Sequence, residues 1–448
     1  MRFFGTDGVR GVANADLTPE LALQLGRAAA TVLTRDDSAA AHLVIGRDTR
    51  ISGPMLEAAI VAGVASVGCD ALTLGIIPTP GVAAVVRRTG AAAGITISAS
   101  HNPIEDNGIK LFGGDGFKLS DDDERRIESA LEQDRGPRPT HGDVGGAASI
   151  PELVERYVDG LVGAGANLDG LLVVADCAFG AAYRVIPLVL RRLGAEVEPI
   201  NDAPDGNRIN VGCGATDLRG LATRVRERAL ERPHRHVVGV AFDGDADRAL
   251  FVDEHGETLT GDHILLALAR DRKSRGALAR DAIVATVMSN VGLEHALASE
   301  GIQLLRTPVG DRYVIEAMRS GGFVLGGEQS GHVIDLGGST TGDGPLTCVL
   351  LLSLMVRHKT TLRELAQGLT IYPQILLNVR SADATILSDN GDVRDAIAAA
   401  ERELEGIGRI LVRPSGTEPL IRIMVEAKDP ATTERIAREV AQTIEAAS

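Results

Sequence analysis

A pattern of strand, loop, helix and strand recurs three times along this sequence. Each copy begins with a short apolar strand, passes through a polar or glycine-containing loop into a helix, and ends in a second strand. The first strands of the copies lie at residues 43–45, 171–174 and 283–286. Strands that alternate with helices are typical of βαβ units and a largely parallel sheet. The sequence therefore predicts three similar α/β domains in tandem.

The C-terminal part of the sequence has a different pattern. Residues 409–412 and 420–426 are predicted strands on either side of a short loop, and residues 432–446 are a predicted helix with apolar spacing. This pattern is typical of an α+β module. A chain of 448 residues is long enough for several domains of roughly 100–200 residues each. The predicted α/β domains are residues 1–145, 146–256 and 257–368, and the predicted α+β domain is 369–448.

The composition argues against several classes of partner. The net charge is −15 and no long run of Lys or Arg is present, so we expect no nucleic acid and no membrane as a partner. The longest strongly apolar run, residues 346–356, is about half of the roughly 20 residues that span a bilayer. The N-terminus has no signal-peptide pattern, and four dispersed cysteines favour buried thiols over a zinc site or disulfides. We expect a cytoplasmic protein.

The first of four polar loops follows residues 94–97, which have the pattern of a buried strand. The loop contains Ser100 with His101 beside it, and Lys110 follows further along the chain. A serine hydroxyl is a weak nucleophile at neutral pH and needs a base or a metal to activate it. The segment Ser-His-Asn-Pro is also good turn chemistry, and Ser100 would equally suit the N-cap of a helix. This loop alone leaves both interpretations open.

The second loop carries Asp243, Asp245 and Asp247 between the apolar runs 237–242 and 249–252. Alternate carboxylates on a tight loop can converge on one point, and their oxygens suit magnesium or calcium. An EF-hand fails because Arg248 stands where its sixth position needs glycine, and because strand-like residues follow. The alternative is a solvated acidic turn, but three charges between buried strands would repel one another without a cation. The loop therefore predicts a metal site, with magnesium as the ion that leaves positions open for phosphate oxygens.

The two remaining loops have the chemistry of substrate binding. Residues 326–332 include Glu328, Ser330 and His332, which together suit hydroxyl binding and proton transfer, although a simple glycine-rich connection fits nearly as well. The fourth loop combines hydroxyls and backbone N–H groups with two arginines, which indicates a phosphate-binding nest rather than a plain turn. Its residues are Arg413, Ser415, Gly416 and Thr417, with Arg422 on the next strand.

Each loop is ambiguous alone, but the four in this order resemble the α-D-phosphohexomutase superfamily over the whole chain from Gly5. Within the superfamily, the sequence is similar to the bacterial phosphoglucosamine mutases. The similarity is carried by residues 5–11 (GTDGVRG), 310–314 (GDRYV) and 328–332 (EQSGH). The phosphomannomutase/phosphoglucomutase branch typically has Met where Gln329 stands here. That branch remains the alternative within the superfamily.

The resemblance implies four domains around a central cleft, one loop from each, three of them α/β domains with mixed sheets. It implies that Ser100 carries a phosphoryl group, and that one Mg²⁺ per chain is held by Asp243, Asp245, Asp247 and an oxygen of phosphorylated Ser100. It also implies support of the phosphate and proton transfer by Arg10, Lys110, His101 and His332. The implied substrate-binding residues are Arg248, Glu328, Ser330, Arg413, Ser415, Gly416, Thr417 and Arg422.

The activity that the resemblance implies is the interconversion of glucosamine 6-phosphate and glucosamine 1-phosphate. Glucosamine 1,6-bisphosphate would be the intermediate and activator, and the product would supply UDP-N-acetylglucosamine synthesis. The only other expected partner is a second copy of the chain in a homodimer. Two rival interpretations are a sugar-phosphate-binding regulator without catalysis and a metal-dependent phosphatase. The first is disfavoured because Ser100 and all three aspartates are present.

Overall fold

The computed structural model describes residues 3–5, 7–34, 41–133, 138–381, 383, 385–415 and 419–447. They group into two compact units, Met1–Val287 with Leu305–Gln367, and Met288–Leu304 with Gly368–Ser448. The predicted α/β class, with a C-terminal α+β part, is confirmed. The domain boundaries after residues 145, 256 and 368 remain predictions.

The strands are β1 (Val9–Val12), β2 (His42–Arg47), β3 (Asp70–Ile76), β4 (Ala93–Ile97), β5 (Asp106–Gly113), β6 (Ala147–Ser149), β7 (Leu171–Asp176), β8 (Glu196–Ile200), β9 (His236–Phe242), β10 (Ala249–Val252), β11 (Thr258–Leu259), β12 (Ala282–Thr286), β13 (Gln303–Thr307), β14 (Leu325–Gly327), β15 (Val333–Asp335), β16 (Gln374–Arg380), β17 (Gly408–Pro414) and β18 (Leu420–Ala427). The helices are α1 (Pro19–Leu33), α2 (Gly53–Ala65), α3 (Thr79–Thr89), α4 (Asp121–Gln133), α5 (Val154–Ala164), α6 (Ala182–Arg192), α7 (Arg219–Glu231), α8 (Gly261–Ser274), α9 (Val291–Ser299), α10 (Asp311–Gly321), α11 (Gly344–His358), α12 (Leu362–Leu365), α13 (Ile386–Asp389), α14 (Gly391–Leu404) and α15 (Pro430–Ala447).

The first three sheets are mixed, and each places its polar loop in the same topological position. Their strand orders are β1-β5-β4-β2-β3-β6, β11-β10-β9-β7-β8 and β13-β12-β14-β15. In each sheet, one strand has a parallel partner on one side and an antiparallel partner on the other. The antiparallel partner is the next strand in the chain. These strands are β4, β9 and β14, and the serine, aspartate and Glu328 loops leave from their ends. The predicted threefold repeat is therefore matched by three equivalent hairpin positions.

Parallel strands that are covered by helices explain the apolar runs seen in the sequence. All six residues of β7 are buried, as are all five of β4. In the first sheet, Leu43 and Ile45 of β2 join Ile95 of β4 and residues of α1 and α2 in one apolar core. A sheet that is buried on both faces fixes its strand ends firmly. The loops at those ends are consequently held in place.

The C-terminal sheet is entirely antiparallel, with the order β16-β18-β17. Its core includes Ile423 and Val425 of β18, which pack with Ile436 and Val440 of α15. The alternation of exposed and more buried residues along β16 is typical of a sheet with one face on a helix. In the register of β17 and β18, Arg413 lies directly opposite Arg422. The predicted α+β module is confirmed, with this pair of arginines at the end that leads into the fourth loop.

The apolar run that contains residues 346–356 forms α11, which has mostly buried side chains. Within the part of the chain that the structure describes, no helix has both the length and the apolar character to cross a membrane. The four cysteines, Cys69, Cys177, Cys213 and Cys348, are buried free thiols. The sequence expectation of unpaired thiols is confirmed.

Asp343 caps the N-terminus of α11 and makes stability depend on pH. Its Oδ1 accepts hydrogen bonds from the Leu346 N–H at 2.8 Å and from the Tyr157 hydroxyl at 2.7 Å. Burial raises the pKa of Asp343 to about 6, against the opposing effect of these hydrogen bonds. This folded-state pKa lies above the unfolded value of about 4. The contribution of protonated Asp343 to the free energy of unfolding is therefore complete below about pH 4 and is lost as the pH rises through about 6.

We expect Asp343→Asn to remove this pH dependence. The amide keeps an Oδ1 acceptor for Leu346 and Tyr157 but carries no charge at any pH. Relative to the wild type, the variant should gain about 2 kcal/mol in free energy of unfolding between about pH 4 and pH 8. Urea unfolding at several pH values measures this, with Asp392→Asn at an exposed position of α14 as the control. A difference between Asp343→Asn and the wild type that does not change with pH would contradict the argument.

Candidate active site

Ser100 lies in the turn between β4 and β5, and a strand rather than a helix follows it. The alternative in which Ser100 caps a helix is therefore wrong. Its side chain donates a hydrogen bond from Oγ to Oδ2 of Asp243 at 2.6 Å, and Nδ1 of His101 lies 3.2 Å from the same Oγ. The backbone of Ser100 is left-handed, with φ at +52°. The fold thus brings the serine loop of the first sheet against the aspartate loop of the second.

The three aspartates converge as the sequence predicted. Asp243, Asp245 and Asp247 are buried, and one carboxylate oxygen from each lies within 4.8 Å of the others. Burial, followed by the charges of Asp247 and Asp245, raises the pKa of Asp243 well above its ordinary value. The close approach of the serine and aspartate loops depends on Gly244, because a Cβ there would lie 2.6 Å from the carbonyl oxygen of Ser100. Mutual repulsion of this kind marks a group of carboxylates that is built around a cation.

The donor set fits a hard divalent cation. Oδ1 of Asp245 is buried and accepts no hydrogen bond from any described residue. The other oxygen of Asp245 accepts from the Thr79 hydroxyl at 2.6 Å, so the carboxylate is held in one orientation. A fixed carboxylate with one unsatisfied oxygen, beside two further carboxylates, is suitable for Mg²⁺ or Ca²⁺. The residues therefore fit a divalent metal.

Lys110 is the buried cation of the site. Its Nζ lies 2.9 Å from Oδ2 of Asp245, 3.4 Å from Oδ2 of Asp247 and 3.2 Å from Oδ2 of Asp7. Burial would lower the pKa of Lys110, but these carboxylates outweigh it and raise the pKa well above its ordinary value. Arg10 also pairs with Asp7 and donates to Oδ1 of Asn102 at 3.3 Å. Two permanent positive charges consequently lie beside the serine loop.

His332 lies between two carboxylates. Its Nδ1 is 3.5 Å from Asp247 and its Nε2 is 3.4 Å from Asp311. Burial would lower the pKa of His332, but these two neighbours raise it to about 10. Lys118 also donates to Asp311 at 2.5 Å and pairs with Asp7. In the metal-free protein His332 is therefore positively charged at neutral pH and is suited to donate a proton.

His101 has the opposite character. Partial desolvation, followed by the positive charge of Arg248, lowers its pKa to about 4. The imidazole is neutral near pH 7 and can accept a proton, with one nitrogen next to Oγ of Ser100. Arg248 itself lies beside the aspartates, with Nε 3.9 Å from Oδ1 of Asp247. The two histidines that the sequence proposed as acid–base candidates thus differ in charge.

The third loop is a tight connection between β14 and β15. The carboxylate of Glu328 accepts from the Gly310 N–H at 3.2 Å and from the Ser330 hydroxyl at 3.3 Å. Gly331 has φ at +91°, and a Cβ there would lie 2.5 Å from the carbonyl oxygen of Ala249. The close approach places Glu328 and Ser330 near the aspartate loop. Both side chains are only partly buried, so their oxygens remain accessible to a ligand.

The fourth loop belongs to the compact unit of Met288–Leu304 and Gly368–Ser448. Arg413 and Arg422 face each other across β17 and β18, where like charges are unfavourable. Partial burial, followed by the charge of Arg422, lowers the pKa of Arg413. Oγ of Ser415 is buried with no hydrogen-bond partner among the described residues. An anion would offset the like charges of the two arginines and could accept a hydrogen bond from Oγ of Ser415; the predicted residues Gly416 and Thr417 lie outside the described residues.

Several residues of the site carried no prediction from the sequence. Asp7 and Asp311 stand in the motifs 5–11 and 310–314 that carry the family resemblance, and Lys118 stands in none of the motifs. Together they form a row of alternating negative and positive side chains that connects Lys110 with His332. The proximity of Asp7 to Arg10 within one short motif was the only available signal. Ion pairs between distant segments leave no pattern in a single sequence.

Four models of the phosphoglucomutase/phosphomannomutase family match consecutive parts of the chain. The α/β/α domain I matches residues 1–137, α/β/α domain II residues 155–256, α/β/α domain III residues 260–372, and the C-terminal domain residues 376–443. Similarity therefore extends through all three sheets of α/β type and the C-terminal module.

Similar proteins and structures agree with these matches. A phosphoglucosamine mutase from Symbiobacterium thermophilum is 53% identical over 446 residues, which cover 99% of this chain and 98% of that protein. The crystal structure of a phosphoglucomutase/phosphomannomutase family protein from Burkholderia thailandensis has a TM-score of 0.82 at 24% identity, covering 99% of this chain and 97% of that one. N-acetylphosphoglucosamine mutase from Aspergillus fumigatus, in complex with GlcNAc-6P and magnesium, has a TM-score of 0.67 at 19% identity, with coverage of 99% and 95%.

Proposed function

The chain belongs to the phosphoglucomutase/phosphomannomutase family of α-D-phosphohexomutases, and from this membership we propose that it interconverts glucosamine 6-phosphate and glucosamine 1-phosphate. The observation that carries the proposal is the contact between Oγ of Ser100 and Asp243 inside the aspartate cluster. The choice of sugar is supported by relatives of about half identity that are named phosphoglucosamine mutase.

The proposed reaction has two phosphoryl transfers. In the first, the bond between phosphorus and Oγ of phosphorylated Ser100 breaks while a bond forms to a sugar hydroxyl, whose proton leaves to a base. The product of this step is glucosamine 1,6-bisphosphate. In the second, the other phosphate of the bisphosphate returns to Oγ of Ser100. Such transfers depend mainly on alignment and on neutralising spread negative charge.

The positive charges for this neutralisation come from the chain itself and from a metal. Lys110 is fully buried beside the aspartates, and Arg10 and Arg248 lie close to it. Asp243, Asp245 and Asp247, with an oxygen of phosphorylated Ser100, would hold Mg²⁺. When bound, that ion supplies electrostatic stabilisation of the transferring phosphoryl group. Fixed cations in a buried site need no reorganisation during the reaction, which favours the transition state.

Charge decides how the two histidines would divide the proton transfers. His101 is neutral because its pKa is lowered to about 4, so it can accept the proton of the attacking hydroxyl. His332 is protonated because Asp247 and Asp311 raise its pKa to about 10, so it can donate to an oxygen that gains negative charge. The opposite shifts of the two groups are the usual sign of separate acid and base roles. Lys110 would stay charged throughout and support the phosphate.

The remaining proposed contacts hold the substrate. Glu328 and Ser330 would bind sugar hydroxyls, because their oxygens are only partly buried and lie on a rigid loop. The residues proposed to grip the phosphate that does not react are Arg413, Ser415, Gly416, Thr417 and Arg422. A nest of forked donors and hydroxyls accepts a phosphate in either orientation of the sugar. This tolerance matters because the bisphosphate must present both of its ends to Ser100.

We expect Arg413→Ala to raise KM for glucosamine 6-phosphate about 10- to 100-fold, with kcat changed less than about threefold. The grip on a distant phosphate is the same in the ground state and in the transition state, so its loss weakens binding rather than chemistry. Steady-state kinetics measure the split. The control is Arg409→Lys on the same strand, which keeps a cation for the 2.6 Å ion pair with Glu426. An unchanged KM in Arg413→Ala would reject the phosphate assignment.

The experiment that tests the function is a coupled assay for glucosamine 1-phosphate. Purified protein receives glucosamine 6-phosphate, Mg²⁺ and a trace of glucosamine 1,6-bisphosphate, and parallel reactions receive glucose and mannose phosphates. A preference for the amino sugar in kcat/KM is the expected result. A preference for glucose or mannose phosphate would keep the mechanism and overturn the substrate. Release of inorganic phosphate without isomerisation would indicate a phosphatase instead.

Three finer points belong to the proposal as well. The bisphosphate would activate the enzyme by phosphorylating Ser100, so turnover should show a lag without it. A homodimer and a cytoplasmic location are the expected assembly and compartment. Size-exclusion chromatography with light scattering would decide whether the protein is a homodimer.

A further inference from the structure

The guanidinium group of Arg50 is completely buried beneath the serine loop, and each of its five N–H groups has an acceptor. Nε donates to Oδ2 of Asp48 at 3.0 Å. The two terminal nitrogens donate to the backbone carbonyls of Ser100, Asn102, Pro103 and Asp106. Five donors are the full capacity of an arginine. One side chain therefore holds four carbonyl groups of a single turn.

The same network holds the amide of Ser100. Its N–H donates to Oγ of Ser98 at 2.9 Å, and Oγ of Ser98 in turn donates to Asp48 at 2.6 Å. The carbonyl of Ser100 accepts from Arg50 at 2.9 Å and from Nδ2 of Asn210 at 2.9 Å. Both polar groups of the Ser100 backbone are thus bound by side chains. We call Asp48, Arg50 and Ser98 the serine clamp.

The clamp acts on a backbone conformation that the residue would not adopt by itself. Ser100 has φ at +52°, a left-handed conformation that is unfavourable for residues other than glycine and persists only where the surroundings impose it. In this conformation Oγ points at Asp243, 2.6 Å away. Relaxation to a right-handed or extended conformation would turn Oγ away from the aspartates. The strained backbone is that of Ser100, the residue whose Oγ the proposed reaction uses.

We propose that Arg50 is a positioning residue, which fixes the left-handed backbone of Ser100 so that the phosphoryl-carrying oxygen faces the aspartate cluster. The inference rests on the proposed function, since the phosphoryl group must leave and return to Oγ at the same place in every cycle. Among the described residues, the guanidinium of Arg50 donates to Asp48 and to backbone carbonyls of the serine loop, and to no side chain that is proposed to bind the sugar. Its loss should therefore impair the transfer and spare substrate binding.

The decisive variant is Arg50→Lys. An ammonium group keeps the charge, but it has three donors and no planar fork, so it cannot serve Asp48 and four carbonyls together. We expect kcat to fall about 100-fold and KM to change less than about threefold, because a small misplacement of a reacting atom costs about that much in rate. The matched control is Arg224→Lys in α7, where the arginine pairs with Glu198 at 2.6 Å, outside the serine loop and the clamp. That variant should keep the wild-type kcat.

A single-turnover measurement distinguishes the positioning role of Arg50 from a purely structural one. The protein is phosphorylated with labelled glucosamine 1,6-bisphosphate, and the transfer rate to glucosamine 6-phosphate is expressed per phosphorylated Ser100. Unfolded molecules carry no label, so a loss of stability alone leaves this rate unchanged. The expected result is a transfer rate about 100-fold lower in Arg50→Lys. A rate equal to that of the wild type would overturn the proposal.

A second variant covers the case in which Arg50→Lys does not fold. Ser98→Ala removes only the acceptor of the Ser100 N–H and a donor to Asp48, and it should lower the same transfer rate about tenfold. Equal rates for Ser98→Ala and the wild type would overturn the role of the clamp. The proposed function fails separately, if phosphorylated wild-type protein transfers its label to no hexose phosphate at all.

Discussion

Ser100→Ala should lose at least about 10⁴-fold in kcat, because no other group can carry the phosphoryl from one substrate oxygen to the other. The reason is geometric as well as chemical. Oγ is the atom that contacts Asp243, and the side chain is 2% exposed, so a water molecule has little room to replace it. The coupled assay for glucosamine 1-phosphate measures the loss, and mass spectrometry should find no phosphorylation of the variant after incubation with the bisphosphate.

The control for this variant is Ser120→Ala. Ser120 is an exposed serine whose hydroxyl donates to Asp123 at 2.7 Å, away from the aspartate cluster. Its replacement should leave kcat and KM within about twofold, as surface substitutions usually do. Retention of more than a trace of turnover in Ser100→Ala would reject the covalent mechanism. Equal losses in both variants would point to a fault in the preparation of the proteins.

Asp243→Asn should have opposite effects on activity and on metal-free stability. With Mg²⁺ at a fixed concentration, the loss of one carboxylate ligand should lower kcat/KM about 10³-fold, since metal contributions to such transfers amount to several kcal/mol. Without metal, the same change removes a buried charge from a repelling group. The amide can still accept from the Arg248 N–H and donate to Oγ of Ser100, the two groups that Asp243 contacts.

Thermal unfolding with and without Mg²⁺ measures the second effect. In the presence of a chelator, Asp243→Asn should melt at least about 2 °C higher than the wild type, and addition of Mg²⁺ should stabilise the wild type more than the variant. The sign follows from the raised pKa of Asp243, because a carboxyl whose ionisation is disfavoured in the folded protein destabilises that fold when it ionises. A variant that is less stable than the wild type under both conditions would show that repulsion among the aspartates is unimportant.

The elements that were predictable from the sequence share one property. They are apolar runs that end abruptly in polar residues, such as β9 before Asp243 and β4 before Ser100. A strand that is buried on both faces produces this contrast by itself, because its polar neighbours can lie only at its ends. The strand ends of a mixed sheet also fix where the loops are, so residues that are distant in the chain could be assigned to one site.

The serine clamp was not predictable, for a physical reason. Arg50 acts on backbone carbonyl groups, which every residue has, so no sequence pattern marks its partners. The left-handed conformation of Ser100 also has no signal in the sequence, since such conformations are usually predicted from glycine or asparagine and not from serine. The charge of the two histidines was equally hidden. It depends on Asp311 and Arg248, which come from other parts of the chain.

The three equivalent hairpins at β4, β9 and β14 have a consequence for how such an enzyme can change. In each sheet the strands are buried along most of their length, while the polar loop leaves from the strand end at which the antiparallel partner joins. Foldability and chemistry thus depend on different parts of the same strands, the buried body and the loop at its end. A loop can be exchanged for one of another composition without rebuilding the core beneath it. The loops themselves are in close contact, since a Cβ at Gly244 would lie 2.6 Å from the carbonyl oxygen of Ser100 and one at Gly331 would lie 2.5 Å from that of Ala249. Nucleophile, metal ligands and sugar contacts must therefore change together, while the three sheets that carry them can stay as they are.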